Sequence, residues 1–183
     1  MSTTAPHPIH TRTHDRDRDR RPRTARSFRR HVPTSLTEVW QRSAYATLAL
    51  PLALASIVLT LCGRSSRAHR LQCAAAYRFL GVSPLGAEQR PTPAGRVLLH
   101  SATSVAPGVP ALILVGYAYG NTIRNLTYPI WYGDTDYQQA WGGPTMAGVW
   151  SVHAIGGLAF FAVCLCLVKM LTNVQAALAR RTL

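Results

Sequence analysis

The sequence has almost no lysine, little acid, and long stretches with no charge at all. Of its 20 basic residues 19 are arginine, Lys169 being the single lysine, and only 7 residues are acidic, for a net charge of +13 over 183 residues. No Asp, Glu, Lys or Arg occurs from Ser43 to Gly63, from Val97 to Ile123 or from Tyr137 to Val168, runs of 21, 27 and 32 residues. A water-soluble helix needs charge on its outer face, so these runs argue against a soluble enzyme; each is long enough for a bilayer core, which takes about 20 apolar helical residues. The four cysteines have no CxxC spacing, which removes a zinc ribbon and a redox motif. Cys164 and Cys166 stand about 200° apart on a helix and cannot share a metal. There is no HExxH, no phosphate-binding Gly loop, no Ser-His-Asp order and no carboxylate pair in an apolar run. The sequence therefore supplies no catalytic, cofactor or metal residues, and the reading is non-enzymatic.

What is present divides the chain into an all-α integral membrane bundle of three to four apolar helical segments and a basic tail. Residues 1–34 are mostly Arg, Thr, His, Pro and Asp, with the run His14-Asp15-Arg16-Asp17-Arg18-Asp19-Arg20-Arg21. Such a segment buries too little apolar area to offset its ordering entropy, and is expected to be disordered and cytoplasmic. Nucleic-acid binding by the tail is the weaker reading, since it has no interleaved aromatics to stack on bases. Ser35 or Thr37 is a candidate helix cap and Glu38 lies in the first turn. The apolar segments are 43–63, carrying Pro51; 101–123, carrying Pro107 and Pro110 and expected to bend and to pack through Gly116 and Gly120; and 146–168, ended by Lys169. Residues 65–80 place Ala68, Leu71, Ala75 and Phe79 on one face and Arg67, Arg70 and Arg78 elsewhere, the pattern of an interfacial amphipathic helix. A turn-rich linker, 81–96, follows.

The segment 124–145 reads as an outer loop on an aromatic belt. Its candidate ligand-sensing residues are Tyr128, Trp131, Tyr132, Asp134, Asp136 and Trp141, two acids among amphipathic rings. His153 is the candidate intramembrane polar residue, because an ionisable group inside a membrane is a functional hypothesis by default. His100 and His153, placed by span depth, come out on the order of 14 Å apart, too far to share a metal.

Cation counts set a topology. The tail to residue 42 holds 10, residues 64–96 hold 6, residues 120–145 hold 1 and the stretch from Lys169 holds 3. Cations concentrate on the cytoplasmic side, which puts both termini and the linker there, in the cell membrane. An even number of crossings before residue 96 is then required, and the charge count favours a re-entrant half-hairpin around Pro51 over one full crossing.

Four motifs in order, Leu50-Pro51-Leu52-Ala53-Leu54, Arg78-Phe79-Leu80-Gly81-Val82, Tyr128-Pro129-Ile130-Trp131-Tyr132 and Ala177-Leu178-Ala179-Arg180, make the chain from about Leu36 onward resemble the actinobacterial sensor domain family. The resemblance implies a four-helix membrane domain, often fused to histidine kinases, that serves signal transduction without catalysis. It also implies a shortened first hairpin, since that family has two full apolar helices where this chain has roughly one. No phosphoacceptor helix or ATP-binding domain lies in the 183 residues. A histidine kinase or other membrane protein would be engaged in trans, with a homodimer as the self-associated form. The alternative is a small accessory subunit of a membrane transporter complex.

Overall fold

A computed structural model describes residues 35–82 and 93–183. The expected disorder of residues 1–34 and most of the 81–96 linker lie outside the described residues. Among those described there are five helices and no strand: α1 Leu36–Leu61, α2 Ser65–Leu80, α3 Ala94–Leu126, α4 Tyr128–Tyr132 and α5 Met146–Thr182. Three of them, α1, α3 and α5, are long and apolar enough to cross a membrane, with mean hydropathies of 2.0, 1.6 and 2.3. The protein is a multi-pass, all-α membrane bundle.

Local chemistry sets the helix ends. The Ser35 hydroxyl accepts from the Glu38 backbone N–H at 3.1 Å and starts α1, the Thr145 hydroxyl does the same for Gly148 at the start of α5, and each cap satisfies a donor the helix cannot. Gly63, at φ 77°, makes the three-residue corner from α1 into α2. Gly81, at φ 63°, closes α2, and Val82 N–H then bonds back to the Ala76 carbonyl at 3.2 Å. That closure turns Val82 onto Ala76, Ala176 and Ala179 as a small apolar cluster, the contact that accompanies such caps.

The chain does not turn back at Pro51. α1 is one continuous helix of 26 residues, roughly 39 Å at 1.5 Å per residue, longer than a 30 Å bilayer core. Proline removes one backbone donor and frees the carbonyl four residues earlier; Pro51 sits on the exposed face, and the helix continues through it.

Side-chain partners fix the directions. Ser43 meets Tyr119 and Leu50 meets Gly108, so α1 and α3 are antiparallel. Asn125 meets Gly157, Tyr119 meets Phe161 and His100 meets Thr182, so α3 and α5 are antiparallel along their whole length. α1 and α5 therefore run parallel, and Leu36 and Thr182 lie at opposite ends of the three-helix bundle. The small pair Gly116 and Gly120 does not mediate a helix contact, since nothing lies within 4 Å of a Cβ built at either. The close approaches are instead at Gly108, 3.6 Å from Leu50, and at Gly157, 2.8 Å from Asn125.

Two features hold α1 in register. Ala46, Ala111, Val115 and Val168 form the apolar centre of the bundle. Beside it Glu38 Oε1 accepts from Arg42 Nε at 2.8 Å and from Lys169 Nζ at 2.9 Å, while Arg42 Nη1 donates to Thr172 Oγ1 and Asn173 Oδ1, both at 2.8 Å. Lys169 is only 7% exposed. It lies 24 residues into the 37 of α5, so it tethers α1 within the helix and is not its end.

α2 folds back across the end of the bundle where α1 stops, α3 starts and α5 finishes, with Gln72 Nε2 donating to Ser101 Oγ at 2.8 Å. Its buried face is Ala68, His69, Gln72 and Ala76, while Leu71 is 41% exposed. The packed side is thus turned by roughly 70° from the Ala68, Leu71, Ala75, Phe79 face expected from apolar spacing.

Candidate ligand groove between the ends of two spans

The groove lies where the last two turns of α3 pass the early turns of α5. Gly157 has no side chain to hold the helices apart, and a Cβ there would stand 2.8 Å from the Asn125 Cβ. Asn125 Nδ2 donates to the Asn121 carbonyl at 2.8 Å, leaving Oδ1 available as an acceptor. Trp150 Nε1 donates to the Leu126 carbonyl at 2.8 Å and fastens the last turn of α3 to α5. The resulting groove, about 400 Å³, is lined by Asn121, Asn125, Trp141, Val152, His153, Gly156, Gly157 and Phe160. That volume suits a small molecule, and the lining is the usual mixture of apolar wall and a few polar groups.

His153 projects into this groove from α5. Its Nδ1 lies 2.8 Å from the Val149 carbonyl; a carbonyl can only accept, so Nδ1 carries the proton and Nε2 is left as an acceptor. The ring is held on its other side by a column of aromatics. Tyr128 lies over His153 with centroids 4.2 Å apart, Tyr132 stacks on Tyr128 at 4.6 Å, and Arg124 sits 5.4 Å from the Tyr132 ring centroid while also donating to its hydroxyl. Tyr128 and Tyr132 share one face of the short α4, whose second residue, Pro129, lies in the first turn, where its missing N–H costs nothing.

Of the residues singled out by sequence, Tyr128, Tyr132, His153 and Trp141 come together here. Trp131 does not; its Nε1 bonds the Thr127 hydroxyl at 2.9 Å and its ring is 67% exposed. Asp134 and Asp136 are also outside the groove and exposed, Asp136 accepting from the Gln138 backbone N–H at 3.2 Å in a local turn. Asn121, Asn125, Val152, Gly156, Gly157 and Phe160 were not expected. Their spacing carried the signal: 121 and 125, 152, 156 and 160, and 153 and 157 are each one helical turn apart and fall on common faces.

The opposite end of the same two helices holds a second polar cluster. Thr182 Oγ1 donates to the Leu178 carbonyl at 2.7 Å and so accepts from His100 Nδ1 at 2.6 Å. His100 Nε2 then faces Ser104 Oγ at 3.5 Å. A small cleft lined by Tyr45, Gln72, His100 and Ser104 adjoins it, with the buried Gln72 Oε1 unbonded. On α2, the partly buried Cys73 Sγ lies 3.5 Å from His69 Nε2, and burial pushes its thiol pKa up. His100 is 25 residues along α3 from Asn125, roughly 38 Å, so the two histidines stand much farther apart than the 14 Å expected from a minimal bilayer depth. The helices overrun the apolar windows on which that distance rested. Among the described residues no three His, Cys, Asp or Glu side chains approach closely enough to hold a metal.

Comparison of the chain with protein-family models, with curated proteins and with solved structures finds no match.

Proposed function

We propose that this protein is a non-catalytic membrane sensor domain that binds a small, largely apolar ligand in the groove and signals to a separate cytoplasmic partner. The observation that carries the reading is that the groove walls belong to α3 and α5, whose far ends are joined by the His100–Thr182 hydrogen bond. A ligand that widens or narrows the groove changes the spacing of two continuous helices and reaches the far end without any intervening loop. It acts only through a difference in affinity for the two spacings. The resemblance of four motifs to the actinobacterial sensor domain family is in keeping with the same function and with a histidine kinase, or another membrane protein, as partner in trans.

The arginine-rich end, with α2 and the C-terminus, faces the cytoplasm of a cell-membrane protein on the positive-inside argument. The groove then opens toward the other face. The direction of α1 favours Leu36 on the groove side, whereas the ten cations before Ser43 favour the cytoplasm; labelling of residue 36 decides between them.

The test uses Gly156→Leu. Gly156 lines the groove and nothing lies within 4 Å of a Cβ built on it, so a leucine there starts without a clash and occupies groove volume; unchanged thermal unfolding of the variant checks that the bundle is intact. The full chain in lipid nanodiscs, with Trp40 and Trp131 changed to Phe and Trp150 kept, reports binding from a panel of small aromatic and amphipathic compounds through the fluorescence of Trp141 and Trp150. Spin labels at Leu99 and Leu178 report the far end. The proposal expects a compound whose binding is abolished by Gly156→Leu and which shifts the 99–178 distance. Binding indifferent to Gly156→Leu, or without any far-end shift, overturns it; a stoichiometric membrane partner retained through mild detergent would then favour the accessory-subunit reading.

A further inference from the structure

The face of α2 that looks away from the bundle carries the wrong chemistry for water. Its packed side holds the small Ala68 and Ala76 with the polar His69 and Gln72, all under 10% exposed, whereas its outward side presents the large Leu71 and Tyr77, 41% and 64% exposed, among Arg67, Arg70 and Arg78. A helix facing water keeps its large apolar side chains on the packed side. Cations interleaved with exposed apolar side chains suit the boundary where acyl chains give way to head groups, with arginine stems lying along the apolar layer and guanidinium groups rising to phosphate.

The rest of this end has the same sign. Arg64 precedes α2, Arg96 lies one turn before His100 in α3, and Arg180 and Arg181 directly precede Thr182 in α5. All seven arginines are exposed, and none has an ion-pair or side-chain hydrogen-bond partner among the described residues. The only acids among the described residues are Glu38, held by Lys169 and Arg42 along the bundle, and Asp134 and Asp136 at the groove end. Seven uncompensated guanidinium groups therefore converge on one rim. Guanidinium binds phosphate bidentately.

We propose that the outward face of α2, Arg67, Arg70 and Arg78 with Leu71 and Tyr77, is a binding site for anionic phospholipid head groups, the flanking arginines extending it around the rim. It rests on the membrane placement and not on the groove's sensing role. Neutralising one such arginine is expected to weaken anionic-lipid preference about fivefold, and neutralising three about a hundredfold.

The full chain is reconstituted into nanodiscs of phosphatidylcholine with a rising fraction of phosphatidylglycerol. A single fluorophore at Ala74, exposed on the outward face of α2, in a background without native cysteines, reports local enrichment by energy transfer to a labelled phosphatidylglycerol. The wild-type chain is compared with Arg67→Gln/Arg70→Gln/Arg78→Gln, with the triple Arg→Lys variant, and with Arg124→Gln at the opposite end. The tail is present in all of them, so differences belong to the named residues. The proposal expects enrichment that falls with salt, is lost in the triple Gln variant, returns in part with lysine and is unmoved by Arg124→Gln. Equal enrichment in wild type and triple Gln variant, or an equal loss with Arg124→Gln, overturns it. So does tight RNA binding to pure phosphatidylcholine discs that the triple Gln variant abolishes while enrichment is unchanged, which would make the rim a nucleic-acid surface.

Discussion

Removing Glu38 should cost far more than removing the lysine it holds. Glu38 Oε1 is 2.9 Å from Lys169 Nζ and 2.8 Å from Arg42 Nε, with side-chain exposures of 9% for Lys169 and 22% for Glu38. At an effective dielectric of about 20 the Lys169 contact alone corresponds to roughly 6 kcal/mol of Coulomb attraction, most of it offset by the desolvation of both ions. Glu38→Ala removes the carboxylate that Lys169 and Arg42 share and takes that compensation from a nearly buried ammonium, for which about 3–5 kcal/mol is expected. Lys169→Met keeps the buried stem, removes the charge that needed compensation and leaves Glu38 paired with Arg42. Its expected cost is within about 1 kcal/mol. The double variant should recover more than 1 kcal/mol of the Glu38→Ala loss. Reversible denaturation in mild detergent, followed by circular dichroism, gives the three free energies of the cycle. Additivity within about 0.5 kcal/mol, or Lys169→Met as costly as Glu38→Ala, would refute the claim that Glu38 compensates Lys169.

Neighbouring glycines should behave oppositely. Gly157→Ala forces a Cβ to 2.8 Å from Asn125 and should destabilise by about 1–3 kcal/mol as α3 and α5 are pushed apart. Gly156→Ala meets nothing and should be neutral or slightly stabilising; equal losses in thermal unfolding would show that the approach at Gly157 is not close. Trp150→Phe, which keeps the ring and deletes the bond to the Leu126 carbonyl, should cost roughly 1 kcal/mol, and no change in unfolding would mean the bond is not formed. In detergent the exposed Cys62 should react with maleimide before the partly buried Cys73, whose thiol pKa burial raises. A raised pKa shrinks the thiolate fraction near neutrality, so Cys73 labelling should accelerate as pH rises, and peptide mass spectrometry finding Cys73 modified first would contradict its burial.

The apolar helices were legible because a run without charge has one stable interpretation at these lengths: 101–123 and 146–168 fall inside α3 and α5, and 43–63 overruns the end of α1 at Leu61 by two residues. Their true ends were not. α5 continues past Lys169 to Thr182 because Lys169 and Thr172 find partners on α1, more than 100 residues away in sequence, and a pairing of that range leaves no local trace. Re-entry at Pro51 was inferred from charge; the backbone could absorb a proline on an exposed face, which charge counting does not register. α2 was legible as a helix but not in its orientation, since apolar spacing assumes that the apolar side packs, and here Gln72 finds Ser101 inside. At the groove, rings and the histidine were visible as residue types suited to a membrane interface. What chose Tyr128, Tyr132 and His153 and left out Asp134 and Asp136 was the close approach at Gly157, which brings α5 against α3 and sets His153 under α4.

The groove and the arginine rim are predicted to lie on opposite faces of one membrane. Single cysteines at Leu36, Ser66, Thr135 and Leu183, in a background without native cysteines, can be labelled in intact cells with an impermeant maleimide and again after permeabilisation. Thr135→Cys is predicted to label in intact cells, Ser66→Cys and Leu183→Cys only after permeabilisation, and Leu36→Cys together with Thr135→Cys when α1 crosses fully. Labelling of both Thr135→Cys and Ser66→Cys in intact cells would put the two ends on one face and contradict the three-helix crossing.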